Sequence, residues 1–277
     1  MENKVSPIKT YREFVKDETI SIRTRTILRN GLIGLLSYKR TPNKPGIRFP
    51  YYHYIFDDER KGFERQLKYM ANLGEFISLN DAVTLLTNND PIDGHYFCIT
   101  FDDGFKNWAT NAAPLLLDAG ATATFFIVTG YIGTSIESDQ KKLLGFYKNN
   151  DRLMEFLSWN DCRALTDAGM IIGSHTINHA HLASLTDDEA RLELKGSKKI
   201  IEEKLGRPCD HFCCPYGIEG KDFFRKNHPK MAKEIGYKSF LTGQRGSMHK
   251  GTSDMIIKRD HLLAGWDNYQ LKYFFSS

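Results

Sequence analysis

Short apolar runs rich in aromatic and β-branched residues alternate along this chain with stretches of helical periodicity, and several of the runs stop at polar, chemically capable side chains. The strongest, His95-Tyr96-Phe97-Cys98-Ile99-Thr100-Phe101, ends abruptly at Asp102-Asp103-Gly104. Runs of this composition read as buried strands. Strands alternating with helices imply a parallel sheet, open or closed, because each parallel return needs a crossover. In a parallel α/β barrel the carboxyl ends of the strands form one face, where catalytic groups collect. The polar stops at Asp102-Asp103, His175 and Tyr216-Gly217 therefore favour a barrel with a site at its strand tips.

Taken in order, residues 1–47 read as an N-terminal extension whose linker, Thr41-Pro42-Asn43-Lys44-Pro45-Gly46, cannot continue a helix. Residues 48–277 form one domain. Phe49–Ile55 is the first predicted strand. Phe63, Leu67, Met70 and Leu73 recur at helical spacing up to Gly74, and Glu75–Ser78 is a short strand. Asn80 is a good N-cap for the next helix. Ala109–Leu117 reads as helix with Pro114 a kink or restart, Ala121–Val128 as strand, and 130–157 as a loop with a helix. A helix from Trp159 to Gly169, a strand at Met170–Ser174 and a helix opened by the capping box Thr186-Asp187-Asp188-Glu189 follow. Strands at His211–Cys214, Tyr237–Leu241 and Met255–Lys258, with helices through Met231–Ile235 and Trp266–Phe274, complete the chain.

The formal charge is only +4, with both signs mixed along the sequence, so no basic stripe marks a nucleic-acid partner. The five cysteines have no framework spacing and read as free, apolar thiols in a reducing compartment. Met1 to Thr26 lacks an export signal's apolar core, which points to the cytoplasm. The apolar run Gly31–Leu36 is too short to span a bilayer. Flanked by Arg23, Arg25, Arg29, Lys39 and Arg40, it is either a helix packed on the domain or an interfacial helix, in which case residues 1–47 touch the inner face of a membrane.

Two adjacent acids at a strand end repel each other and lose hydration, so something must compensate them. A divalent metal held by one, with the other free as a base, is one answer; capping of a segment starting near Phe105 is the other. His175-Thr176-Ile177-Asn178-His179 sets two imidazoles four residues apart. If the segment turns helically both rings share a face and can ligate one ion, although two surface histidines would look the same. One carboxylate with two imidazoles suits Zn, Co, Ni, Mn or Fe. His181, two residues on from His179, is read as solvated or packed by Leu182 rather than as a ligand. Cys213 and Cys214, adjacent on a strand, point to opposite faces and do not share a site.

With these residues in place the chain resembles the polysaccharide deacetylases, carbohydrate esterase family four. Thr100-Phe101-Asp102-Asp103-Gly104 resembles the family's first motif, His175-Thr176-x-x-His179 its second and Pro215-Tyr216-Gly217 part of its third. Ala123–Ile127 resembles the strand that follows the first motif, and Tyr52-His53 the opening of the domain in one branch. The resemblance implies a distorted or incomplete (β/α) barrel of about seven parallel strands over a catalytic domain at 48–277. It also implies one divalent metal ion, zinc foremost, on Asp103, His175 and His179. Asp102 would be the general base for attack by water on an N-acetyl carbonyl, and the Tyr216 main-chain N–H a donor to the oxyanion. The substrate would be an N-acetylated glycan or its lipid-linked precursor. An O-deacetylase on the same site, or a glycan-binding protein that has lost activity, are the alternatives. Two features depart from the pattern. Cys213 stands where many relatives carry an arginine that tethers the aspartate, which leaves Arg259 or another cation to replace it. The late histidine that acts as general acid is not clear: His261 is the nearest candidate, with His53 as a pocket residue or Asp102 itself as the alternatives.

Overall fold

The structure is a computed structural model and describes residues 6–16, 19–38, 45–88, 91–147, 152–251 and 256–276. The elements run α1 (Tyr11–Phe14), α2 (Ile20–Ser37), β1 (Gly46–Arg48), β2 (Pro50–Tyr52), α3 (Arg60–Ala71), β3 (Glu75–Phe76), α4 (Leu79–Thr87), β4 (His95–Phe97) and β5 (Ile99–Asp103). They continue through α5 (Ala113–Asp118), β6 (Ala123–Ile127), α6 (Ile136–Leu144), α7 (Trp159–Asp167), β7 (Ile171–Ser174), α8 (Asp187–Leu205), β8 (His211–Cys213), α9 (His228–Ile235), β9 (Ser239–Leu241), β10 (Asp260–His261) and α10 (Asn268–Phe275).

Seven of these strands form one parallel sheet in the order β10-β2-β5-β6-β7-β8-β9, which curls through 235° into a half-barrel. The alternation of strand and helix thus builds the distorted barrel the sequence implies. Strand alternation separates two cores. Phe125 joins Phe101, Trp108 and Phe212 in the larger cluster that the helices cover. Its neighbour Phe126 joins Cys213, Leu241 and Ile257 in a smaller one, closed by Ile47, Phe49 and Leu79. Fully burying such side chains contributes roughly 1.5–3 kcal/mol each. The helix boundaries follow local chemistry. The Thr186 hydroxyl and the Glu189 carboxylate form the expected capping box on α8, which ends at Gly206 with φ 65°.

Several elements differ from the sequence reading. The stretch Phe49–Ile55 is not one strand: β1 already begins at Gly46 and pairs with β4 from Gly46 opposite His95. β1 and β4 form a small parallel sheet with β3, while their continuations β2 and β5 enter the main one. α4 is capped by Ser78, whose hydroxyl accepts from the Asp81 N–H. Asn80 instead uses its carbonyl oxygen on His211 Nε2, 2.9 Å away. A single wide turn, Trp108–Ala112, precedes α5, and Pro114 sits in the first turn of that helix, a restart. The late strand lies at Asp260–His261, with Ile257 making one bridge to Leu241. Met255 and most of the Thr41–Gly46 linker lie outside the described residues. The five cysteines are buried and free, as read.

The segment 257–261 closes the seam of the half-barrel. Ile257 N–H donates to Phe240 O and Arg259 N–H to Gln244 O beside β9, whereas Asp260 N–H donates to Phe49 O beside β2. The side chain between these anchors, Arg259, is buried.

Candidate active site

Both carboxylates close β5: Asp102 lies opposite Phe126 and Asp103 opposite Ile127 of β6. Adjacent strand residues face opposite ways, yet both line one pocket. The backbone explains it, because Asp103 has φ 95° and breaks the alternation. Among the described residues, the non-glycine positions with positive φ are Asp103 (95°), Thr176 (68°), His179 (58°) and Tyr216 (60°). All four sit on the three motifs, and such a conformation costs roughly 1–2 kcal/mol per residue. Strain gathered in this way marks a site whose geometry the rest of the fold enforces.

The loop after β7 carries both imidazoles without forming a helix. The helical turn expected between His175 and His179 is therefore absent; two left-handed residues bring the rings together instead. Asp103 Oδ1 is 3.5 Å from His175 Nε2 and 3.2 Å from His179 Nε2, and ligand atoms of all three residues lie within 4.8 Å of one another. His175 Nδ1 is 2.8 Å from Cys213 O. A carbonyl only accepts, so Nδ1 carries the proton and the Nε2 lone pair faces the carboxylate. Two acceptors thus point at each other, and the buried Asp103 Oδ1 makes no hydrogen bond of good geometry. That donor set fits a divalent cation. Burial pushes the Asp103 carboxyl up; only protonated, donating imidazoles at His179 and His175 outweigh it and hold the group below the usual carboxylate range. Burial holds the His179 imidazole down, toward the neutral form a metal ligand needs.

Asp102 has a different partner. Its two oxygens accept from Arg259 Nη1 at 2.7 Å and Nη2 at 2.6 Å, a bidentate pair. Arg259 also donates to Thr242 O and Thr100 Oγ1 and stacks 4.1 Å from the Tyr51 ring. Burial raises the Asp102 pKa, the Arg259 charge and hydrogen bonds lower it further, and the net result is an ionised carboxylate. Cys213, in the place of the expected arginine, turns its thiol toward Asp102 Oδ2 at 3.7 Å. Neither aspartate caps the next helical turn, which starts after Asn107 with no side-chain cap.

The remaining residues singled out in the sequence also meet here. His53 Nδ1 lies 3.2 Å from His261 Nε2, and both line the pocket. Burial, with His53 and Arg245 nearby, pushes the His261 pKa down to about 3. Tyr216 stacks flat on His181, centroids 3.9 Å apart. His181 is held by Asp222 at 2.8 Å, and a third of its side chain stays exposed. Gly217, at φ 72°, has no room for a side chain: a Cβ would lie 2.2 Å from the Gly243 nitrogen. Among the described residues no acceptor takes the Tyr216 N–H. The pocket holds about 510 Å³. Tyr54, Phe146, Tyr147 and Arg152 also line it, and sequence reasoning missed them. The adjacent aromatics at 146 and 147, inside a stretch read as a loop with a helix, were the available signal.

The sequence profile of the polysaccharide deacetylase family matches residues 90–240. YxkH of Bacillus subtilis, which bears the polysaccharide deacetylase name provisionally, is 25% identical over 207 residues. That alignment covers 74% of this chain and 66% of the relative, just under two thirds of its length. IcaB from Ammonifex degensii superimposes with a TM-score of 0.70 at 19% identity, covering 85% of this chain and 99% of that one. The Streptococcus pyogenes deacetylase PplD, solved with acetate, gives 0.68 at 21% identity, covering 85% and 100%. At those identities the structural likeness establishes the shared fold.

Proposed function

The chain belongs to the polysaccharide deacetylase family, and from that premise we propose that it is a metal-dependent hydrolase that removes N-acetyl groups from the amino sugars of a glycan. One observation carries the reading. Asp103, His175 and His179 converge on a buried, unpartnered carboxylate oxygen, and an arginine-held second carboxylate stands next in sequence.

Asp103, His175 and His179 would hold the divalent ion, with zinc ahead of cobalt, nickel, manganese or iron. When bound, it would acidify water and polarise an acyl carbonyl. Asp102 receives the proton of the attacking water, and Arg259 keeps it ionised and aimed for that step. The Tyr216 N–H donates to the oxygen that becomes negative as the carbonyl turns tetrahedral; one such donor typically contributes roughly 3 kcal/mol. The proton taken by Asp102 passes to the departing amine; the His53–His261 pair lines the same pocket, with burial keeping the His261 ring neutral, so it is not the source of that proton. Tyr54, Phe146, Tyr147 and Tyr216 offer apolar surface on which a sugar ring stacks and from which water is excluded.

Acetate release from N-acetylated oligosaccharides tests the reading, with metal removed by chelation and then restored. Asp102→Asn should keep its metal and lose activity by about 10²–10⁴-fold, whereas His175→Ala should lose both metal and activity. Near-normal turnover by Asp102→Asn would overturn the base assignment. Release from O-acetylated but not N-acetylated sugars would move the substrate class.

A further inference from the structure

Eight of the thirteen exposed large apolar side chains among the described residues lie between Ile20 and Tyr38. They sit on α2 and, for Tyr38, at its C-cap; the other side of the helix is seated on α10: Ile33 is 6% exposed, and Gly34 approaches the Tyr269 ring. The spacing of Ile20, Ile27, Leu28, Leu32, Leu35 and Tyr38 puts them on one side of the helix, away from α10. Ile20 is 84% exposed and Leu35 77%. An apolar stripe of this length is not ordinary surface.

Its charge surroundings select the occupant. Arg25 and Arg29 are exposed on the same helix. Between Glu18 and Asp57 the chain holds seven basic residues and no acidic one. A second copy laid on the stripe would set arginine against arginine with no carboxylate in the segment to answer either. An anionic phospholipid surface answers both features, taking the apolar stripe into its headgroup boundary and pairing the cations with phosphates. Among the described residues no helix is long and apolar enough to cross a membrane, so the geometry is that of a helix lying in the plane. We propose that α2 binds the surface of an anionic phospholipid bilayer and holds the domain there. The proposal stands apart from the catalytic reading.

Co-sedimentation of the full chain with vesicles tests it. One set is pure phosphatidylcholine and the other contains phosphatidylglycerol. Binding should be about tenfold tighter to the anionic vesicles and should weaken with salt. Leu28→Ser with Leu35→Ser should lower it by about tenfold, and Arg25→Gln by about fivefold. These side chains face solvent, so thermal unfolding of the variants should match the parent. Equal binding to both vesicle types, binding to neither, or lipid-free self-association abolished by the same serine substitutions would each overturn the proposal.

Discussion

A carboxylate with both oxygens buried needs a cation or several donors held against it to stay ionised; Arg259 gives Asp102 both, and it is itself held on every side. Its Nε and Nη1 are fixed by Thr242 O and Thr100 Oγ1 while the remaining donors grip Asp102, and Tyr51 covers its face. Breaking a buried pair by removing one partner typically costs about 3–5 kcal/mol. Arg259→Met, which keeps the volume and deletes the charge, should lose about that much in urea unfolding. It should also lower kcat by about 10²-fold, because the carboxylate is no longer aimed, while KM stays near the parent value. Unchanged kcat in a folded Arg259→Met protein would show that the pair is structural alone. The sequence offers Arg259 as a replacement for the arginine missing at Cys213, but nothing in it could choose. The two partners are 157 residues apart, and their meeting depends on how the chain crosses the seam between β9 and β10.

At the scale of elements, what was legible is what strand chemistry dictates. Apolar runs that stop at Asp102, His175 and Tyr216 announce strand tips, and parallel topology gathers strand tips on one face. What was not legible is the backbone of the loops. Helical spacing suggested one face for His175 and His179, whereas left-handed residues at Thr176 and His179 make the approach; spacing does not encode such strain. The role of the N-terminal segment was equally hidden. α1 is tied down by Asp58, whose carboxylate accepts from the Tyr11 and Arg12 N–H groups, and by the Ile8 N–H to Leu153 O. Its Phe14 packs on Tyr54 at 4.7 Å and Tyr147 at 5.9 Å, and the Arg152 guanidinium lies 4.4 Å over the ring. Those three partners are a wall of the pocket. Phe14→Ala should therefore cost about 2 kcal/mol, less than a fully buried phenylalanine, and raise KM several-fold with kcat nearly unchanged. A stability loss with KM unmoved would limit α1 to a structural tie.

For the molecule as a whole, the late segment that delivers Arg259 and His261 is fastened to elements from the first quarter of the chain. Gln66, reached by the Tyr52 hydroxyl, donates to Leu263, Ala264 and Trp266 carbonyls. Arg48 pairs with Asp260 at 3.1 Å. Glu59 completes the set, accepting from the Phe56 and Gly265 N–H groups. Among the described residues no cation pairs with it: burial pushes its pKa up to about 7, the two backbone N–H groups pull it partly back, and Asp58 adds to the rise. The folded value exceeds the unfolded one, so folding favours the protonated acid. The stability this contributes is fully present below about pH 4.5 and is lost as pH rises through about 7. A shift of this size corresponds to about 3 kcal/mol. His211 works in the opposite sense, since burial lowers its pKa to about 4 and acid therefore destabilises the fold. The total profile mixes the two, and Glu59→Gln separates them. Urea unfolding from pH 5 to pH 8 should show the parent losing up to about 3 kcal/mol relative to Glu59→Gln, which cannot ionise at this position. Parallel profiles would mean that Glu59 is ionised throughout. The link between the two ends of the chain would then rest on a charged hydrogen bond rather than on a buried neutral acid.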